Sequence, residues 1–260
     1  MMETLIAFGG DEERFWQIAF LMTRIGAALL AAPLFGATGV PVLVRTAAAG
    51  ALACFAAFWV PVDTDALTFG LAGLVGVAGE VVLGLALGFV LQIAFAAPLV
   101  AAELIGGGMG LSMAMAASPD GMGPRSVFGN FLTIALTLIF LAVGGHLVWL
   151  RLVVESYTAF PPGDAWLGAE RFAVIADFGA TAFAAGLGIA LPIAVILLVV
   201  QVVTGVISRS APALNVFALG LPLGVLAGLA GMVACLPLIF ADLADLSAQA
   251  LTMSADLLAR

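Results

Sequence analysis

Five charged residues stand where an apolar chain has no cheap place for them. Arg24, Glu80, Glu103, Asp177 and Arg209 lie within or beside long hydrophobic runs. An ionised group at the centre of a bilayer costs at least about 2.5–3.5 kcal/mol, so such residues pair or face a polar interior. Two roles fit them: lining a path for an ion or substrate, or pairing between helices and across a subunit interface, which is the commoner use. No two carboxylates recur at a short fixed spacing on one helix face, so a proton relay is not indicated. Other reactive types are sparse. His146, in GGHLVW, is the only histidine. A histidine-based metal cluster is thereby excluded, and any serine–histidine dyad would depend on this one ring. Beside glycines at a helix end it is expected to be a hydrogen-bonded structural residue. There is no GxSxG, and no glycine-rich phosphate loop ending in lysine, because the chain has no lysine at all. Cys54 and Cys235 sit in separate apolar runs, where a thiol acts as a small hydrophobe. Neither an enzyme nor a cofactor is indicated.

The elements that must carry these residues are membrane helices. The 260-residue chain is 64% hydrophobic and 9% charged, with sixteen acids against eight arginines. Soluble domains carry nearer a quarter charged residues, so this is an integral membrane protein. No clustered basic face suggests nucleic acid. The acidic start, MMETLIAFGGDEERFW, has no basic region before its apolar run and no small-residue cleavage site, and a cleaved signal peptide is not expected. Charges divide the rest into six apolar runs: residues 15–35, 46–62, 66–98, 127–150, 172–208 and 210–241. About 20 residues span a bilayer core. The first, second and fourth runs fit one span each; the third, fifth and sixth are far longer. They either fold back as hairpins or are not simply embedded in lipid. Pro98, Pro192, Pro222 and Pro237 are the natural break points, since proline removes a helix hydrogen bond. Arginines 14, 45, 125, 151 and 171 are spread over successive loops, too evenly to orient the chain by positive-inside bias.

Glycine supplies a second pattern. Gly84 and Gly88, Gly106 and Gly110, and the series Gly220, Gly224 and Gly228 recur every four residues, a spacing that lets helix backbones touch. A different use is implied by GGGMGLSMAMAASPDG, residues 106–121. Three adjacent glycines weaken any helix, each by roughly 1 kcal/mol relative to alanine. Four of the nine methionines fall between Met109 and Met122. A flexible, soft, apolar loop is expected there.

Four stretches carry a resemblance to a known family. They are EVVLGLALGFVLQIAFAAPLVAAELIGGGMGLSMAMAASPDG from Glu80, LIFLAVGGHLVWLRLVVESYTAFPPG from Leu138, IALPIAVILLVVQVVTGVISRSAPALNVFALGLPLG from Ile189, and more loosely RIGAALLAAPLFGATGVPVLVR from Arg24. In type, order and spacing these resemble the FliR family, the flagellar member of the type III secretion export-gate subunits, whose injectisome counterpart is SctT. The resemblance spans about residues 24–240. It implies an all-α integral membrane protein of kinked helical hairpins, about six long apolar segments, forming part of a helical multi-subunit gate in the bacterial inner membrane at the flagellar basal body. It implies a single export-gate domain over 1–260, with approximately 1–170 similar to FliP and 171–260 similar to FliQ. The implied partners are FliP-like and FliQ-like gate subunits, FlhB-like and FlhA-like export components, and the unfolded proteins that are exported.

The resemblance also implies roles. The loop after GxxMG plugs the closed pore in the family, and Gly106, Gly107, Gly108, Met109, Gly110, Leu111, Ser112, Met113 and Met115 occupy that place here, within the implied plug 106–118. The small residues after Met115 depart from the bulkier aromatic expected in a plug. Arg24, Glu80, Glu103, Asp177, Arg209, Asn215, Gly220, Gly224 and Gly228 are then expected at subunit interfaces or in interhelical pairs. The GLPLG after NVFAL favours the flagellar over the injectisome gate. A secondary transporter would need two related halves with paired interrupted segments, and no internal repeat is visible.

Overall fold

The computed structural model describes residues 2–37, 39–62, 70–111, 127–164, 168–210 and 216–259. These residues form seven α-helices, and no strand occurs among them. The helices are α1 (Met2–Ala31), α2 (Val42–Ala56), α3 (Leu71–Gly108), α4 (Val127–Ala142), α5 (Gly145–Ala159), α6 (Ala169–Ser210) and α7 (Val216–Ala259). Three of them, α3, α6 and α7, are long and apolar enough to cross a membrane; the broken pair α4 and α5 would make a fourth span if counted as one.

The overlong runs are helices that do not stop at proline. α3 has 38 residues and continues through Pro98, α6 has 42 and continues through Pro192, and α7 has 44 and contains both Pro222 and Pro237. Each is about twice the 20 residues that a bilayer core requires. Conversely, the fourth run, which has the length of one span, is broken at Val143 and Gly144, where Gly144 takes φ +72°. A left-handed residue cannot continue a right-handed helix, and glycine adopts it without steric cost. The glycine triplet differs from the sequence expectation as well. Gly106, Gly107 and Gly108 are the last residues of α3 rather than part of a loop. Propensity is a weak prior that packing overrides: Gly106 is buried, and a Cβ on Gly108 would stand 2.9 Å from Leu197 Cδ1.

The chain divides into two compact units that interleave in sequence. The first comprises Met1–Ile93, Gly144–Phe178 and Gln249–Arg260; the second comprises Ala94–Val143 and Gly179–Ala248. In the first unit, α1 packs against α2, and α1, the first part of α3 and α5 share a core of Leu21, Ile25, Leu29, Leu83, Leu87 and Trp149. Gly84 and Gly88 seat α3 on α1. A Cβ on Gly84 would overlap the carbonyl oxygen of Arg24, and one on Gly88 would lie 2.6 Å from Ala31 Cβ. Trp149 donates its indole N–H to Leu87 O at 3.2 Å and stacks on Phe35, with centroids 6.0 Å apart. Phe35 belongs to the turn before α2, which Arg45 holds by donating to the carbonyls of Phe35, Ala37 and Val40 at 3.0, 3.3 and 3.4 Å.

In the second unit, the end of α3 packs with α4, α6 and α7 around Phe95, Ile105, Met109, Leu136, Phe140 and Ile193. Phe95 and Phe140 meet edge to face at 5.9 Å. Close approach again depends on glycine: a Cβ on Gly186 of α6 would lie 2.7 Å from the carbonyl oxygen of Ala97 in α3.

Candidate functional site

Two constellations stand out, one in each unit. The first is built on Arg24, an arginine 0% exposed on α1. Its guanidinium makes a two-pronged pair with Glu80 of α3, Nε to Oε2 at 2.7 Å and Nη2 to Oε1 at 2.9 Å. Nη1 donates to Ser156 Oγ at 3.0 Å, and Nη2 also donates to the carbonyl of Phe160 at 2.9 Å. The carboxylate has a third donor, the backbone N–H of Gly163 at 3.1 Å. The guanidinium lies over the ring of Tyr157, 4.0 Å from its centroid, and the Tyr157 hydroxyl donates to Leu21 O. Three segments distant in sequence therefore converge on one ion pair: α1, α3 and the stretch from Ser156 to Gly163. A buried charge is tolerable only when paired and fully hydrogen-bonded, and each partner here satisfies the other. Its chemistry is positional. The pair is closed by protein on all the contacts named and presents no free group to a substrate.

The second constellation is the end of α3. Met109 N donates to Ile105 O and Gly110 N to Gly107 O, both at 3.0 Å, and Gly110 takes φ +82°. Left-handed glycine just past the last helical turn is a standard way to end a helix. Gly107 faces open space, with nothing within 4 Å of where a Cβ would stand. Met109 is 1% exposed. Its side chain fills the groove left by Gly228 of α7, where a Cβ would lie 2.7 Å from Met109 Cγ, and its carbonyl oxygen is 3.2 Å from the Cβ position of Gly224. Gln201 of α6 donates its side-chain amide to Gly108 O at 2.8 Å. Leu111 is half-buried. Ser112, Met113 and Met115, and Asn215, lie outside the described residues.

The remaining expected residues scatter. Glu103, Asp177 and Arg209 are exposed on α3, α6 and the last turn of α6, and Gly220 is half-buried on α7. Of the five intramembrane charges, the structure brings Arg24 and Glu80 together. His146, expected to be hydrogen-bonded, has a buried Nδ1 with no partner among the described residues. Sequence reasoning missed Ser156, Tyr157 and Gln201. A signal for Gln201 existed, since it is a long polar side chain inside the apolar run 172–208; nothing local marks Ser156 as an arginine partner.

The hydrophobic faces outside these sites are large. In their most apolar stretches α6 and α7 are only 28% and 33% buried, against 56% for α3. Valines and leucines such as Leu191, Val195, Leu198, Val202 and Leu226 are each more than half exposed. Lipid or other protein must cover them.

Comparison with known proteins agrees with this architecture. The profile of the family described as "Bacterial export proteins, family 1" matches residues 15–250. The chain is 31% identical over 244 residues to the flagellar biosynthetic protein FliR of Escherichia coli strain K12, covering 94% of this chain and 92% of that one. It is 32% identical over 245 residues to FliR of Pectobacterium carotovorum, covering 92% of each. With FliR of Aquifex aeolicus the identity is 32% over 216 residues, 83% of each. A buried ion pair joining three segments, a glycine-capped α3 and long apolar helices with uncovered faces are thus features of a chain that belongs to the bacterial export proteins, family 1, the family of the flagellar FliR proteins.

Proposed function

We propose that this subunit of the flagellar export apparatus forms part of an inner-membrane gate for unfolded flagellar proteins, and that the segment beginning at the end of α3, residues 106–118, closes the gate. The observation that carries the reading is the left-handed Gly110, which ends α3 immediately before a methionine-rich stretch. Glycine lets the chain change direction there, and methionine offers adaptable, polarizable side chains suited to sealing an irregular lumen. Backbone that leaves a helix at membrane depth is tolerated only where protein or a cavity surrounds it.

The uncovered faces of α6 and α7 support assembly with other subunits, FliP-like and FliQ-like in the gate and FlhB-like and FlhA-like in the wider apparatus. Exposed Glu103 and Arg209 fit that setting as pairs across subunit contacts, because an unpaired charge beside lipid is costly. A FliP-like part over approximately 1–170 and a FliQ-like part over 171–260 belong to the same proposal. A flagellar rather than injectisome system is favoured by the family's FliR relatives.

Deleting residues 112–118 in the assembled complex tests the plug. Ion conductance of the inner membrane should rise while the complex still assembles. A correctly assembled complex with unchanged permeability would refute the plug and leave the family assignment standing.

A further inference from the structure

Among the described residues the exposed tryptophans are Trp16 on α1 and Trp59 just past α2, and both lie at one corner of the first unit. The side-chain amide of Gln17 donates to the carbonyls of Ala57 and Val60 at 3.2 and 2.9 Å, which holds the start of the apolar run of α1 level with the end of α2. Phe15 meets Trp16 edge to face at 5.6 Å, and Phe55 meets Trp59 in the same way at 4.3 Å. Phe58 is 83% and Trp59 65% exposed, and the Trp59 indole N–H has no acceptor among the described residues. Immediately before Phe15 stand Glu13 and Arg14, both exposed. Away from this corner the outer face of α2 turns apolar: Val42, Leu43, Val44, Ala47, Ala51 and Cys54 are all exposed. The hydroxyl on that face, Thr46, donates to Val42 O of its own helix at 2.6 Å.

Arg45 marks the far end of the face. Its guanidinium donates to the carbonyls of Phe35, Ala37 and Val40 in the turn before α2, so it points away from the aromatic corner, and no carboxylate pairs with it among the described residues. We propose that the outer face of α2 is covered by lipid, with Phe15, Trp16, Phe58 and Trp59 seated in one headgroup layer of a phospholipid bilayer and Arg45 directed toward the other. An indole has an apolar body and a polar N–H, and it is favoured where hydrocarbon meets water. The order along the hairpin is charged, aromatic, apolar and then cationic, which is the polarity profile of a bilayer. From Arg45 to Trp59 the helical rise is roughly 21 Å, short of a core of about 30 Å; the reach of the arginine side chain and local thinning absorb the difference. A protein partner is what exposed Glu103 of α3 requires, but α2 carries no charge between Arg45 and Trp59. The placement does not depend on how the gate closes.

Spin labels read the surroundings of each position directly. They are attached one at a time to native Cys54 and to Arg14→Cys, Ala51→Cys and Phe58→Cys, with Cys235→Ala throughout and Cys54→Ser wherever another site is labelled. The intact complex, its other subunits free of cysteine, is reconstituted in bilayers of phosphatidylethanolamine and phosphatidylglycerol. Relaxation by oxygen, which enters hydrocarbon, is compared with relaxation by a water-soluble nickel chelate. Lipid cover predicts oxygen access without nickel access at Ala51→Cys and Cys54, access of both at Phe58→Cys, and a dominant nickel effect at Arg14→Cys. Exclusion of both reagents from Ala51→Cys and Cys54 would mean that a protein subunit covers the face, and nickel access there would mean that water does. Either result overturns the proposal, as does a nickel effect that fails to rise from Ala51→Cys through Phe58→Cys to Arg14→Cys.

Should a labelled variant fail to assemble, an unlabelled charge scan gives an independent decision from the yield of complex in membranes. At headgroup level a cation meets lipid phosphate, so Phe58→Arg should leave the yield within about twofold of the unaltered chain. Ala51→Arg places the same charge about 12 Å deeper by helical rise, in hydrocarbon, and should lower the yield at least about tenfold. A loss for Phe58→Arg as severe as that for Ala51→Arg would mean that protein packs against the corner. Full yield for both would mean that the face meets water. Each of these results overturns the lipid assignment.

Discussion

Replacing Glu80 by alanine strikes the buried ion pair of the first unit. The substitution removes three acceptor contacts at once: Arg24 Nε at 2.7 Å, Arg24 Nη2 at 2.9 Å and Gly163 N at 3.1 Å. Arg24 keeps Ser156 Oγ and Phe160 O, but its positive charge stays 0% exposed and loses its only counter-ion among the described residues. Breaking a buried pair by removing one partner costs about 3–5 kcal/mol, because the surviving charge has nowhere to go. At 1.4 kcal/mol per decade that is more than a hundredfold in the folding equilibrium, a large share of a typical total of about 5–15 kcal/mol. The assay is the thermal midpoint of the detergent-solubilised gate complex, together with its yield from membranes. Glu80→Ala should lower both strongly. Arg24→Met with Glu80→Leu should recover most of the loss, since apolar replacement of a whole buried pair is neutral or stabilising by about 1–4 kcal/mol. Arg151 and Glu155 form the control, an i, i+4 pair whose side chains are 77% and 46% exposed; removing Glu155 should cost below about 0.5 kcal/mol. An unchanged midpoint for Glu80→Ala would refute the reasoning, because it would mean that Arg24 finds water or another acceptor.

Other perturbations follow from the packing. Gly84→Ala should impair folding by at least about 1–3 kcal/mol, because its methyl would overlap the Arg24 carbonyl, whereas Gly26→Ala has nothing within 4 Å and should be neutral or slightly stabilising; complex yield compares them. Trp149→Phe keeps a ring against Phe35 but loses the bond to Leu87 O, an expected loss of about 1 kcal/mol in thermal stability. Gly224→Leu should reduce complex yield, since the Met109 carbonyl already stands 3.2 Å from the Cβ position. Expressed without partner subunits, the chain should aggregate or be degraded, as judged by size-exclusion profile and half-life in cells; a monodisperse monomer in detergent would contradict the reading of α6 and α7 as partner-covered.

Composition and run lengths alone determined that the chain is a helical membrane protein, because no soluble domain can carry so much apolar surface and so few charges. The order of motifs determined the family. Glycine spacing announced that helices would touch at positions 84 and 88 and at 224 and 228, since hydrogen side chains at every fourth residue line one helix face whatever the fold. The partners in those contacts are a matter of tertiary structure. Nothing in the sequence tells Arg24 that its counter-ion is Glu80, 56 residues away, or that Ser156 and Phe160 complete its shell. Local rules also misplaced the helix boundaries. The intrinsic cost of proline and glycine marks them as breaks, yet α3 runs through Pro98 and the glycine triplet, and the break falls at Gly144 inside a run of ordinary length. Intrinsic propensities are worth about 1 kcal/mol per glycine, and burying a helix end against α6 and α7 outweighs them. Periodicity and composition report what each segment can bury; which segment it is buried against depends on contacts between residues far apart in the chain, and those exist only once the chain has folded.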